Sequence, residues 1–295
     1  MQTFDYKAAT SLDECLALLK EHGDEVELIA GGTSLIIMMQ QGLVQPKVVV
    51  GLSGVKELKG VRRTADGGLV FGATTTHREL ETSPEAFAYD AQLPKALGVI
   101  ATIRIRNQAT VGGNLVHADP AQDPPPVLIA LDGTCDIVSA GGNRTLPVEE
   151  FFLDYFECAL KNGEMLRSCT VPKMPAGSKL LYKKFLPRTE DDFATVSVAV
   201  RLGVGPDKTC NDIRVGLGSL GTTPLRGKAV ENALKGKVLT PALIKEAAAL
   251  VRDEVDPLDD VRGSAKYKRE MARVWTERTI ATLAGFQTAG STAAR

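Results

Sequence analysis

The sequence predicts an α+β protein in three consecutive segments, and three observations predict it. The first fifty or so residues alternate short apolar strand patterns with helical ones. The last hundred or so place three strand candidates ahead of three helix candidates, which segregates sheet from helix. Two glycine pairs, Gly31-Gly32 and Gly112-Gly113, open the way into ligand-sized corners, the first lying between an apolar strand pattern and a helical one.

In the first segment, Thr3–Tyr6 reads as a short strand. Ser11 with Glu14 has the capping-box pattern, and Leu12, Cys15, Leu16 and Leu19 repeat at helical spacing. Val26–Ala30 is an apolar strand, a helix follows Thr33, and Lys47–Val50 is a third strand, giving a compact βαβαβ unit. A second segment starts near Ser53, where Gly67-Gly68 separates the strands Gly60–Arg63 and Leu69–Gly72 as a hairpin turn does. His77–Glu81 starts a short helix, and Leu93–Ile100 lies in a longer one. Beyond Thr110–Pro120, the prolines of Asp123-Pro124-Pro125-Pro126 hold the backbone extended and predict an ordered surface loop. The strand Cys135–Ser139 and the hairpin turn Gly141-Gly142-Asn143 follow, and the segment closes at Val171–Pro175. The third segment carries strands at Lys179–Phe185, Thr195–Leu202 and Asp212–Leu217, then helices at Leu225–Leu234, Pro241–Val251 and Ser264–Leu283. Gln287–Arg295 reads as a small, polar, frayed tail.

Composition excludes several functions. A net charge of −1 gives no electrostatic reason for nucleic acid or an anionic membrane as partner, and 5% aromatic residues argue against a base-stacking platform. No apolar run approaches the roughly twenty residues of a membrane span. The N-terminal stretch mixes Asp, Glu and Lys and does not read as a signal peptide. The five cysteines are scattered singly, which favours a reducing compartment and no structural zinc or iron–sulfur site in this chain.

The corner Ala30-Gly31-Gly32-Thr33-Ser34-Leu35 has the order strand, glycine pair, hydroxyls, helix. Glycine lets the backbone approach a ligand, and N–H groups at the start of the following helix point at negative charge. By itself the corner is also a tight turn capped by Thr33. It is neither a Rossmann fingerprint, since GxGxxG is absent, nor a P-loop, since no Gly-Lys-Ser/Thr follows. A second corner lies at Thr110-Val111-Gly112-Gly113-Asn114, and two such corners suggest one elongated phosphate ligand held from two sides. Asp123 either caps an Asx-Pro turn or accepts from ligand hydroxyls.

Ala30-Gly-Gly-Thr-Ser-Leu35, Thr110-Val-Gly-Gly-Asn114 and Asp119-Pro-x-x-Asp123-Pro together resemble the FAD-binding medium subunit of the xanthine dehydrogenase and aerobic carbon monoxide dehydrogenase family. Tyr182-Lys-Lys-Phe-Leu-Pro-Arg188-Thr-Glu-Asp-Asp192-Phe-Ala-Thr-Val, Gly216-Leu-Gly-Ser-Leu-Gly221 and Arg262-Gly-Ser-Ala-x-Tyr267 extend the resemblance over residues 2–285. It implies a two-subdomain FAD-binding domain of the vanillyl-alcohol-oxidase/PCMH type at 1–175, divided at about 52/53. A C-terminal flavoprotein domain of a three-stranded antiparallel sheet with helices then occupies 178–286.

Carried over position by position, Ala30, Gly31, Gly32, Thr33, Ser34, Leu35, Ile36 and Ile37 form one clasp on the FAD diphosphate and Thr110, Val111, Gly112, Gly113 and Asn114 the other. Asp123 is then placed for ribose or adenine-side hydroxyls, Ile100 and Leu166 for the pocket wall, and Lys184 beside the isoalloxazine, unless Lys184 is a solvent-exposed strand lysine. Arg188 and Asp192 are an ion pair at the ring or an ordinary surface pair; His117 borders the flavin. No catalytic side chain and no metal site is expected in this chain. The implied partners are a large molybdenum-cofactor subunit, a small subunit with two [2Fe–2S] clusters, and an external electron acceptor, in a dimer of heterotrimers. The implied location is cytoplasmic, or peripheral to the inner face of the membrane. The competing readings are a stand-alone FAD oxidase and a non-catalytic nucleotide-binding assembly protein. Thr33 stands where the family's carbon monoxide dehydrogenases usually have His, which speaks against carbon monoxide as substrate. The cysteine-free stretch Asn114–Leu131 speaks against the 4-hydroxybenzoyl-CoA reductase branch.

Overall fold

A computed structural model of the chain describes residues 2–186 and 191–287. The N-terminal part comprises β1 (Asp5–Ala8), α1 (Leu12–His22), β2 (Val26–Ile29), α2 (Leu35–Gln40) and β3 (Val48–Gly51). Its sheet is parallel, in the order β1-β3-β2, and β3 is buried along its whole length, which suits a continuous apolar run to the centre of a parallel sheet. β1 begins later than the expected Thr3–Tyr6, because Asp5–Ala8 is the stretch in register with Val48–Gly51. Ser11 caps α1 by accepting from Glu14 N–H, but the Glu14 carboxylate reaches back to Thr10, so the expected capping box is not closed on Ser11.

The middle part contains β4 (Val61–Arg63), β5 (Leu69–Gly72), α3 (His77–Glu81), α4 (Pro84–Tyr89), α5 (Gln92–Gly98), α6 (Ile103–Arg106), α7 (Val111–His117) and α8 (Pro124–Ala130). It continues through β6 (Thr134–Ser139), β7 (Gly142–Pro147), α9 (Val148–Phe151), β8 (Phe152–Asp154), β9 (Glu157–Cys158) and β10 (Glu164–Val171). The main sheet is antiparallel with order β4-β5-β10-β6-β7. β10, its central strand, was not legible beforehand. Leu69, Phe71, Ile137 and Val171 pack with the helices on one face, while Val138 and Met165 join the core of the N-terminal part on the other.

Two expectations fail here, both because a helix starts where loop was expected. Asp123–Pro126 is not an extended surface loop; Pro124, Pro125 and Pro126 form the buried first turn of α8. Proline is excluded from helix interiors, but a first-turn residue has no intrahelical N–H bond to lose. The ordered loop was expected to run from Thr110 on, but Thr110 caps α7, so Val111–His117 is helix.

The C-terminal part comprises β11 (Ser178–Phe185), β12 (Val196–Val204), β13 (Cys210–Gly218), β14 (Leu225–Arg226), α10 (Lys228–Leu234), α11 (Pro241–Ala249), α12 (Val251–Glu254) and α13 (Ala265–Leu283). The expected three-stranded sheet is four-stranded, β11-β12-β13-β14, because Leu225 and Arg226 pair with Leu217 and Gly216 instead of starting a helix. Val196, Val198, Val200 and Leu202 face α10, α11 and α13, whereas Leu180 and Ala199 join the core of the middle part. The close crossing of α8 over β13 requires glycine: a Cβ on Gly216 would lie 2.0 Å from the Pro126 carbonyl oxygen. Arg201 ties the same interface, 2.8 Å from both Asp132 and Asp212. The expected frayed tail lies, beyond Gln287, outside the described residues.

Candidate functional site

A cavity of about 480 Å³ opens where the three parts meet. That size falls within the ~300–1,000 Å³ of small-molecule sites. β2 delivers the first corner to it. A Cβ on Gly31 would sit 2.1 Å from the Gln108 carbonyl oxygen, so only glycine lets this corner lie against the approach to the second. Among the described residues, the N–H groups of Gly31, Gly32, Thr33, Ser34 and Leu35 donate to no protein acceptor. α2 has only six residues, so these loop amides, more than a long-helix dipole, make the corner attractive to an anion.

The second corner is built differently from the first. Val111 N–H donates to Thr75 O and Gly112 N–H to Ala73 O, both at 2.9 Å. Asn114 N–H donates to Thr110 O at 2.9 Å, and Gly113 N–H to Thr110 Oγ1 at 3.1 Å. The two corners are therefore not equivalent anion sites. The first presents open amides; the second presents side chains and a close-packed backbone.

Ala30, Gly31, Gly32, Thr33, Ser34, Leu35, Ile100, Thr110, Gly112, Gly113, Asn114, Asp123, Leu166 and Lys184 line the cavity. Ile36, Ile37 and Val111 do not. Ile37 is 52% exposed, and Val111 is turned into the middle core. Lys184 is not the solvent-exposed strand lysine of the alternative reading. Its Nζ donates to Asp123 Oδ2 and to Val99 O, each at 2.9 Å, and Tyr182 Oη donates to Asp123 Oδ1 at 2.5 Å. Asp123 makes no capping bond to α8, so the Asx-Pro turn is absent. Burial pushes the Asp123 carboxyl upward, opposed by the Lys184 charge and the two donors. Arg188 lies outside the described residues; Asp192 approaches Arg262 at 3.7 Å. His117 lines the cavity against Phe156, its ring 5.2 Å away.

Among the described residues, three lining side chains carry buried polar atoms with no protein partner: both ring nitrogens of His77, Asn114 Oδ1 and Gln122 Oε1. Buried polar atoms are nearly always bonded, so a wall that concentrates such atoms fits a polar ligand. Open amides at one end, unpartnered polar atoms, and apolar surface from Ile100, Met165 and Leu166 together fit a dinucleotide with a charged diphosphate and a flat ring. His77 and Gln122 escaped the sequence reading. For His77 the available signal was its place directly after the cap Thr76, within the capping box that Glu79 closes; Gln122 sits only as a spacer between Asp119 and Asp123.

The fold and cavity define a dinucleotide-binding protein of mixed α/β architecture, and comparison with known proteins narrows that class. Residues 2–174 match the FAD binding domain in molybdopterin dehydrogenase, and residues 181–283 the CO dehydrogenase flavoprotein C-terminal domain. The chain is 33% identical to the 6-hydroxypseudooxynicotine dehydrogenase complex subunit alpha of Paenarthrobacter nicotinovorans, over 95% of this chain and 94% of that one. It is 32% identical to the carbon monoxide dehydrogenase medium chain of Hydrogenophaga pseudoflava, over 94% and 96% respectively. A solved structure of reconstituted CO dehydrogenase from Oligotropha carboxidovorans superposes with a TM-score of 0.92 at 30% identity, over 97% of this chain and 99% of that one. The chain belongs to the FAD-binding medium subunits of the molybdenum hydroxylase family. It is accordingly a flavoprotein oxidoreductase subunit with FAD as its cofactor.

Proposed function

We propose that this chain is the electron-transfer subunit of a molybdenum hydroxylase complex, taking electrons from a small [2Fe–2S] subunit and passing them to an external acceptor. The observation that carries this reading is the set of open amides from Gly31 to Leu35, facing a cavity that Lys184 also lines. FAD supplies the redox chemistry, a two-electron store able to exchange electrons singly. The protein's part is to bind and orient. The first-corner amides hold the diphosphate, and Thr110, Gly113 and Asn114 close over it from the second corner. Ile100 and Leu166 exclude water, and Lys184 sets a cation beside the ring system. Asp123 fixes that cation and, with lone pairs remaining on both oxygens, retains acceptor capacity for a ligand hydroxyl.

The relatives' names, medium chain and complex subunit, support large and small partner subunits here; our reading gives the large one the molybdenum cofactor and the small one the iron–sulfur clusters, in a dimer of heterotrimers. Relatives named for carbon monoxide and for 6-hydroxypseudooxynicotine match almost equally well, which supports a substrate chosen in the large subunit. We place the complex in the cytoplasm or on the inner face of the membrane; no helix among the described residues is long and apolar enough to cross one.

Purification tests the proposal. The expected product is yellow, with a flavin spectrum, and co-purifies with molybdenum and iron–sulfur subunits. A colourless protein that takes up no FAD is the outcome of the assembly-protein reading. A yellow chain that oxidises substrate unaided is that of the stand-alone oxidase.

A further inference from the structure

His77 is fully buried, yet among the described residues neither ring nitrogen has a partner. It stands at the first position of α3, and its own N–H donates to Ala109 O at 3.0 Å. Thr76 bridges to Thr110, so His77 stands directly beside the cap of the second corner and among the residues that line the cavity, its ring just beneath the cavity surface. The neighbouring cation has no need of it. Arg106 is committed to Glu81 at 3.0 Å, to Ile100 O at 2.7 Å and to Ala101 O at 3.0 Å. That fixed positive charge and the amino end of α3 both oppose protonation, so the ring is kept neutral, with one donor and one acceptor nitrogen. A buried imidazole that bonds to nothing destabilises the ligand-free chain, and an apolar ring would fill the space better. The site retains polarity that the empty fold does not use.

We propose that the His77 imidazole donates a hydrogen bond to an oxygen of the bound dinucleotide, making it a binding residue on the second-corner side. This rests on the FAD reading above and extends it to a residue outside both glycine motifs. The ring acts as a neutral donor, which contributes to affinity without adding charge beside the diphosphate. Asn114 and Gln122, each with a buried unpartnered oxygen in the same wall, supply acceptors alongside it.

The experiment is FAD titration of the full-length chain, stripped of flavin, followed by fluorescence quenching, with thermal unfolding of the flavin-free protein in parallel. His77→Leu is expected to weaken FAD binding by about tenfold or more, the loss of one buried hydrogen bond. The same substitution leaves the flavin-free melting temperature unchanged or raised. His77→Gln, which keeps a neutral donor, recovers most of the affinity. Unchanged FAD affinity in His77→Leu overturns the proposal. So does a pair of variants that both bind weakly and both melt lower without flavin, because that is the behaviour of a structural histidine. If the unsubstituted chain itself takes up no FAD, the failure belongs to the FAD reading instead.

Discussion

Lys184 Nζ lies 2.9 Å from Asp123 Oδ2, with both side chains only 5% exposed, and this pair joins β11 of the C-terminal part to the start of α8 in the middle part. Removing one partner strands the other charge in the interior, which typically costs about 3–5 kcal/mol, whereas replacing both with apolar residues is often neutral. Lys184→Met is therefore expected to lower unfolding free energy by about that amount in denaturant titration. The double variant Lys184→Met/Asp123→Leu recovers much of it. A loss in the double variant equal to the sum of the Lys184→Met and Asp123→Leu losses would show that the pair is not coupled.

Gly113 and Gly31 separate binding from folding. A Cβ on Gly113 meets only Thr110 Oγ1, at 2.9 Å, while one on Gly31 meets the Gln108 backbone. Gly113→Asp is expected to leave a folded chain, with flavin absorbance per protein reduced about tenfold or more by carboxylate against diphosphate. Gly31→Ala loses flavin and stability together, and Gly32→Asp loses flavin through the same repulsion at the first corner. Full flavin occupancy in both aspartate variants would remove the clasp from consideration.

Thr110 Oγ1 accepts from Gly113 N–H and so caps α7. Thr110→Ala is expected to cost about 1 kcal/mol of stability, read from urea unfolding of the flavin-free protein, and Thr110→Ser to restore it. A neutral alanine variant would mean that the cap is not used.

Burial, with the Arg106 charge adding to it, lowers the His77 pKa to about 4 from an ordinary 6.5. Between those values the unfolded chain carries a proton that the folded chain does not, so stability rises with pH across this interval. The contribution is complete above pH 6.5 and is lost towards pH 4, amounting to about 3 kcal/mol. Flavin-free protein unfolded in urea at pH 7.5 and pH 5 should thus differ by roughly 2 kcal/mol more than the His77→Gln variant does. Equal pH dependence in the two chains would show that His77 is not buried neutral.

Much of the fold was legible because local chemistry dictates it. Ser11, Thr76 and Ser264 each stand one residue ahead of a helix and accept from its first turn. Gly67-Gly68 and Gly141-Gly142 mark hairpins that form as their residues require. β10 escaped because its sequence, Glu-Met-Leu-Arg-Ser-Cys-Thr-Val, has neither clean alternation nor a continuous apolar run. Its place at the centre of a sheet follows from β5 and β6, distant in the chain, which pair along its two edges. β14 is two residues long and exists only because β13 offers an open edge.

The site divides in the same way. Sequence alone marked the first corner, since a glycine pair after an apolar strand lets the backbone approach a ligand, but left it open between an anion site and a tight turn capped by Thr33. It also determined which side chains carry charge and which cannot. Tertiary structure decided that the second corner keeps its amides for Thr75, Ala73 and Thr110, and that Ile36, Ile37 and Val111 turn away from the cavity. It decided too that Asp123 meets Lys184 and Tyr182 and that His77 is buried without a partner among the described residues. The physical reason is that amide satisfaction, burial and charge pairing are properties of what surrounds a group in space. Those surroundings come from segments some sixty residues apart in the Asp123–Lys184 case, a separation over which no local pattern carries information.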